Sequence, residues 1–301
     1  MPSDMETERA SPRFADIDIW DPADVLDCMI EAQFAAVGAV RAARHAIEEA
    51  ARAMEARLAH RGRLIYAGAG TSGRLAVQDG AELAPTFGWP EEKLLLLIAG
   101  GQEALSRSVE GAEDDVTQVM RFMDREDVNS DDVAIVVAAS GTTPFAVEAL
   151  REGRRRGALT IGIANNSGTP VLTESDCPIW LDTGTEVIAG STRLKAGTAQ
   201  KITLNALSSL LMIRLGKVHA GLMVDVRATN DKLLKRSERI LMHLTGCDEG
   251  EARDALKSAG GHLKAAALVL KGYELSEAEK LLQASDQNLR RAFSRLQGQR
   301  A

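Results

Sequence analysis

Between residues 63 and 181 the chain passes through five short, mainly apolar segments, at 63–67, 93–98, 133–139, 159–164 and 177–181. The residues between them are enough for a crossover helix each time. Continuous Leu, Ile and Val character, rather than strict alternation, is what strands need when helices cover both faces of a parallel sheet. The pattern therefore predicts an α/β domain. Pro178 has no N–H to give to a ladder, which puts the fifth strand at an edge. Ahead of the sheet, Ile30, Phe34, Val37, Val40, Ile47, Met54 and Leu58 recur at helical spacing, so 22–60 reads as one long amphipathic helix or two in tandem. Behind it, a stretch from about 193 to 215 is apolar nearly all round, the mark of a helix buried in the core or in a subunit interface. Beyond about 225 the character changes to short helices, with Asp248-x-x-Glu251 and Ser276-x-x-Glu279 as candidate capping boxes. The expected organisation is an N-terminal helical segment (1–62), an α/β domain (63–234) and a small helical domain (235–301).

The first strand runs into "RLIYAGAGTSGRL", where Gly68, Gly70 and Gly73 fit the G-x-G-x-x-G turn of dinucleotide sites. Such a site also needs an acidic residue near the end of the second strand, to bind ribose hydroxyls. The second strand, "KLLLLIAGG", ends without one. The loop instead carries Thr71 and Ser72 where a helix begins. Hydroxyls combined with the unpaired N–H groups of a helix start suit a phosphate monoester. The third strand repeats the device with Ser140, Gly141, Thr142 and Thr143 ahead of Pro144, a residue suited to a first helical turn. In a flavodoxin-like strand order of 2-1-3-4-5, strands 1 and 3 flank the point where the winding reverses, and ligands collect there at the carboxyl ends of the strands. Two hydroxyl-rich loops then share one pocket, and Ser191 opens a third segment before the apolar helix. The same residue types also make ordinary turns and caps. Their recurrence at the two strands that matter favours a phosphosugar pocket.

Charge and composition narrow the partners. The formal net charge is −7 with no basic stripe, which argues against nucleic acid. No uncharged apolar stretch reaches the roughly 18 residues that span a bilayer, and "MPSDMETERASPRF" lacks the apolar core of a secretory signal. Cys28, Cys177 and Cys247 are odd in number and far apart, as packing residues of a reduced cytoplasmic protein would be. His45, His60, His219, His243 and His262 show no ligand spacing, so no metal is expected. Arg154, Arg155 and Arg156 end a predicted helix, where cations suit the dipole.

"GAGTSGRL" and "ASGTTP" resemble the sugar isomerase (SIS) domain. "AELAPTFG", "IAGGQEALSRSVEGAEDD", "GSTRLKAGTAQK" and "LMVDVRATNDKL" together resemble the N-acetylmuramic acid 6-phosphate etherase family, from about residue 7 to the C-terminus. That resemblance implies a three-layer α/β/α SIS domain with a helical C-terminal domain, a homodimer, and a cofactor-independent lyase of cell-wall sugar recycling. The implied reaction exchanges the D-lactyl ether of the sugar for a hydroxyl from water. The resemblance alone maps the two catalytic glutamates onto Glu82 and Glu113. Glu82 stands among Ala81, Leu83, Ala84 and Pro85, and if they bury it, desolvation keeps a proton on it for the leaving lactate. Glu113, in an acidic cluster with Glu110, Asp114 and Asp115, is then the base. Read without the resemblance, that cluster is a solvated first helical turn complementing the dipole. Thr142 stands where many of the family have arginine, and Phe145 where many have tyrosine. Two other readings keep the fold: a phosphosugar isomerase, which needs no leaving-group acid, and a non-catalytic sugar-phosphate sensor.

Overall fold

The computed structural model describes residues 5–226 and 231–299. Two helices, α1 (Pro22–Ala42) and α2 (Arg44–Leu58), precede the sheet, so the tandem alternative holds, with the break at Ala43. Asp21 caps α1 by accepting from the N–H of Ala23, and Pro22 takes the first helical position, where its missing N–H costs nothing.

Five parallel strands follow: β1 (Leu64–Gly68), β2 (Leu94–Ile98), β3 (Val133–Val137), β4 (Leu159–Ala164) and β5 (Cys177–Trp180), in the order β2-β1-β3-β4-β5. Leu64 pairs with Leu94 on one side and Val133 on the other, and Gly68 with Ile98 and Val137, so the ends of the three strands are level. Every residue of β1 and β3 is buried, as their unbroken apolar runs require. β5, with Pro178, is an edge strand, opposite β2. The crossovers are α3 (Gly70–Ala81), α4 (Leu83–Phe87), α5 (Val116–Arg125), α6 (Pro144–Arg155) and α7 (Pro170–Thr173), and helices cover both faces of the sheet.

The apolar helix is α8 (Lys195–Arg214). Of the two settings its sequence allowed, it takes the core: Ala196, Ala199, Leu204, Leu207, Leu211 and Met212 are buried within this chain. A small antiparallel hairpin, β6 (Val218–His219) with β7 (Leu222–Met223), leads to α9 (Asp231–Thr245), α10 (Glu249–Ser258), α11 (Leu263–Val269), α12 (Leu275–Ala284) and α13 (Leu289–Gln299). Asp248 and Glu251 form the capping box of α10. The second box lies two residues earlier than its expected place at Ser276 and Glu279. Because α12 starts at Leu275, Glu274 and Glu277 make the exchange.

The described chain divides into two compact units, one of residues up to 80 with 92–209, the other of 81–91 with 210 onward. The first has its core around Ile65, Val136, Phe145 and Leu150. The core of the second gathers Val224, Leu241, Leu256, Leu268 and Leu282. This grouping joins the hairpin and residues 81–91 to the C-terminal helices, whereas the sequence reading ran the α/β domain on to 234. The arginine run at the end of α6 serves the fold. Arg155 and Arg156 both bond the buried carboxylate of Glu152, and Arg156 also reaches Asp124.

Candidate active site

β1 and β3 are neighbours at the point where the winding of the sheet reverses, so the loops that leave them open on the same edge. In the first loop α3 starts at Gly70, and the N–H of Gly73 makes the first helical bond, to Ala69 O at 2.9 Å. The N–H groups of Gly70, Thr71 and Ser72 precede that bond and have no acceptor within the helix. They point along the positive end of its dipole. Thr71 is half-buried and Ser72 buried. Gly73 lets α3 approach β1 closely, since a β-carbon there would lie 2.7 Å from Gly68 O. Arg74, next in sequence, donates to Ala104 O and Arg107 O and ties the turn after β2 to this helix.

The second loop is folded on its own hydroxyls. Ser140 Oγ accepts from the N–H of Thr142 at 3.2 Å and stands 3.2 Å from Thr143 Oγ1. Thr143 stands at the N-cap position of α6 with its hydroxyl turned to Ser140 rather than to the helix, and Pro144 takes the first helical position as expected. Ser191 lies in a turn in which Leu194 N–H donates to Ser191 O. Just beyond, the carboxylate of Glu186 accepts from the N–H groups of Lys195 and Ala196 and so caps α8. Burial pushes the Glu186 carboxyl up and the Lys195 ammonium down from their ordinary values. Glu186 is nine residues from the helix it caps, beyond any local capping pattern, so no motif marks it.

Packing joins these three segments. A β-carbon on Gly197, in the first turn of α8, would stand 3.6 Å from Thr71 Cγ2. The second and third segments meet through Thr7, which is fully buried. Its N–H donates to Asn166 Oδ1 at 3.3 Å, its hydroxyl accepts from Asn166 Nδ2 at 2.9 Å, and its carbonyl accepts from Gly190 N–H at 2.9 Å. The same Asn166 Nδ2 bonds Ala139 O at 3.0 Å, at the start of the Ser140 loop. Thr7 is a threonine in a polar N-terminal stretch, and nothing local marked it.

The acidic cluster separates into two roles. Asp115 caps α5, taking the N–H groups of Thr117 and Gln118, and the Thr117 hydroxyl holds its carboxyl below the ordinary value. Glu113 sits on the preceding turn (Ala112–Asp114), and its Oε1 comes within 2.9 Å of where a β-carbon on Gly70 would be. The helix cap is thus Asp115, while Glu113 faces the first loop. Glu82 lies in the other compact unit, at the N-cap of α4. The expected burial does not occur: Glu82 is exposed, because Leu83 alone of its immediate neighbours turns into the core.

Two family models match the chain: "Glucokinase regulatory protein N-terminal SIS domain" over residues 45–153 and "SIS domain" over 107–210. Among full-length relatives, the N-acetylmuramic acid 6-phosphate etherase of Deinococcus radiodurans is 50% identical over 288 residues, covering 95% of this chain and 94% of that protein. Proteins of the same name from Streptomyces avermitilis and Geobacillus thermodenitrificans are 42% and 41% identical, each over 96% of this chain and over 94% and 98% of their own lengths.

Proposed function

The chain belongs to the N-acetylmuramic acid 6-phosphate etherase family, and from that premise we propose that it cleaves the D-lactyl ether of N-acetylmuramic acid 6-phosphate with water, releasing N-acetylglucosamine 6-phosphate and D-lactate. The phosphate is assigned to the helix start at Gly70, Thr71, Ser72 and Gly73 and to the hydroxyl loop of Ser140, Gly141, Thr142 and Thr143, with Ser191 completing the rim. Both loops offer unpaired N–H groups or hydroxyls at one edge of the sheet.

In the open-chain sugar the aldehyde acidifies the proton on C2. Glu113 takes that proton, and the electron pair left behind forms the C2–C3 double bond and expels the ether oxygen from C3. Glu82 protonates that oxygen as lactate departs. Water then adds at C3 and a proton returns to C2, so one water is consumed and no electrons are exchanged with a cofactor. Two carboxyl groups, one taking a proton and one giving a proton, suffice for the sequence. The observation that carries the reading is the position of the Glu113 carboxylate against Gly70, beside the loop assigned to phosphate. Reaction in heavy-oxygen water, with a chelator and no nucleotide present, tests it. One lactate per sugar, with solvent oxygen at C3 and none in the lactate, is expected. Label in the lactate would mean the other C–O bond breaks and would overturn the scheme.

The homodimer is proposed on α1 rather than α8. Leu26, Ile30, Phe34 and Val37 form one face of α1 and are 54–73% exposed, and the occupant proposed for that face is a second copy of the chain. Asp24, Asp27 and Glu31 lie toward the start of α1 and Arg41 at its end, so a two-fold antiparallel pairing sets acids against bases. A cytoplasmic location fits Cys28, Cys177 and Cys247, all unpaired. Among the described residues no helix is long and apolar enough to cross a membrane.

A further inference from the structure

Lys264, in the first turn of α11, is 3% exposed. Its ammonium donates to Gln287 O at 2.7 Å and pairs with Asp225 Oδ1 at 2.8 Å. The other oxygen of that carboxylate, Oδ2, lies 3.0 Å from Lys217 Nζ. Gln287 has φ of 57°, a left-handed backbone uncommon outside glycine, and it belongs to the turn between α12 and α13 that presents this carbonyl. A cation near a helix start opposes the dipole, and a buried ion pair adds little stability over a well-packed apolar residue. What such a pair does well is fix one arrangement. Lys264 fixes three elements at once: α11, the α12–α13 turn, and the chain leaving the β6–β7 hairpin at Asp225.

Asp225 in turn meets the segment that carries Glu82. Gly88 ends α4 in the left-handed conformation, φ 59°, and a β-carbon there would overlap Asp225 O. Gly88 N–H donates to Ala84 O and Trp89 N–H to Leu83 O, while Leu83 and Trp89 are both buried. Glu82 is the N-cap of this five-residue helix, so where Gly88 seats decides where Glu82 stands.

We propose that the C-terminal helices serve the reaction through Lys264, a positioning residue that holds Asp225 against Gly88 and so fixes the backbone that carries Glu82; this rests on the role given to Glu82 above. The experiment follows the reaction in deuterated water, reading lactate release and solvent exchange at C2 separately, for the full-length wild type, Glu82→Gln and Lys264→Met. Lactate release by Glu82→Gln at the wild-type rate would defeat the reading of Glu82 itself. If Glu82→Gln stops release, Lys264→Met is expected to lower kcat for release about 10- to 100-fold, with KM little changed and more exchange per lactate released. A merely structural role would lower exchange and release together, and that result, or an unchanged ratio, would overturn the proposal. Should Lys264→Met fail to fold, Lys217→Met removes the outer partner of the same carboxylate. It is expected to move the ratio in the same direction by less, and no movement counts against the proposal equally.

Discussion

The carboxylate of Glu113 lies against Gly70: a β-carbon at residue 70 would stand 2.9 Å from Glu113 Oε1, on a backbone with φ of 52°. Gly70→Ala therefore meets two penalties, a left-handed alanine at about 1–2 kcal/mol and a displaced carboxylate. Lactate release is expected to fall about 100-fold in kcat/KM, because small misplacements of a reacting group are that costly. Melting temperature should drop by only a few degrees. Full activity in this variant would separate Glu113 from the chemistry.

Thr7 links the Ser140 loop to the Ser191 turn through Asn166 and Gly190. Thr7→Val keeps the shape and removes the hydroxyl acceptor, a loss worth about 1 kcal/mol or somewhat more. KM for the phosphosugar should rise about five- to tenfold with kcat nearly unchanged, and Thr7→Ser should restore it. Steady-state kinetics of the three proteins decide it, and an unmoved KM would contradict this placement of Thr7.

Glu152 sits under the arginines that end α6, and its hydrogen bond from Arg155, followed by those from Arg156, pulls its carboxyl from an ordinary 4.5 to about 2. Because the folded value is depressed, the ionised form stabilises the fold above the ordinary value. That contribution is lost as pH falls from 4.5 toward 2. Denaturant melts across the acid range should show this decline. Glu152→Gln should flatten it and lose about 1 kcal/mol at neutral pH, since Arg155 is solvated and Arg156 keeps Asp124.

The exposed face of α1 predicts that Ile30→Asp with Phe34→Asp yields a monomer where the wild type is a dimer, as read by light scattering at micromolar concentration. Both side chains are well over half exposed in the single chain, so its fold should survive the change. A wild-type monomer, or a variant that still pairs, would rule out α1 as the interface.

The sheet was legible because its signals are local. Mainly apolar runs, the missing N–H of Pro178 and the hydroxyls at two helix starts each constrain their own segment, and together they named the strand order. The site was legible only where motifs carried it. Thr7 and Asn166 meet across 159 residues, and Glu186 reaches a helix nine residues on, through a few hydrogen bonds each, which leave no periodicity to read. Glu113 and Asp115 look alike in "EGAEDD", and only the turn ending at Asp114 assigns the cap to Asp115. The setting of α8, core or interface, stayed open in the sequence for a similar reason. Apolar content marks a face as buried somewhere, and the fold decides whether this chain does the burying: α8 packs inside while α1 leaves Phe34 73% exposed. Glu82 is the plainest case, where apolar neighbours in sequence did not become apolar neighbours in space.

The most direct measurement is solvent exchange at C2 beside lactate release, in deuterated water, for Glu82→Gln and Glu113→Gln given N-acetylmuramic acid 6-phosphate and a chelator. A base at Glu113 and an acid at Glu82 predict that Glu113→Gln loses both signals, while Glu82→Gln keeps exchanging the C2 proton and releases almost no lactate. Undiminished exchange in Glu113→Gln, or lactate at the wild-type rate from Glu82→Gln, would contradict the division of labour between the two carboxylates.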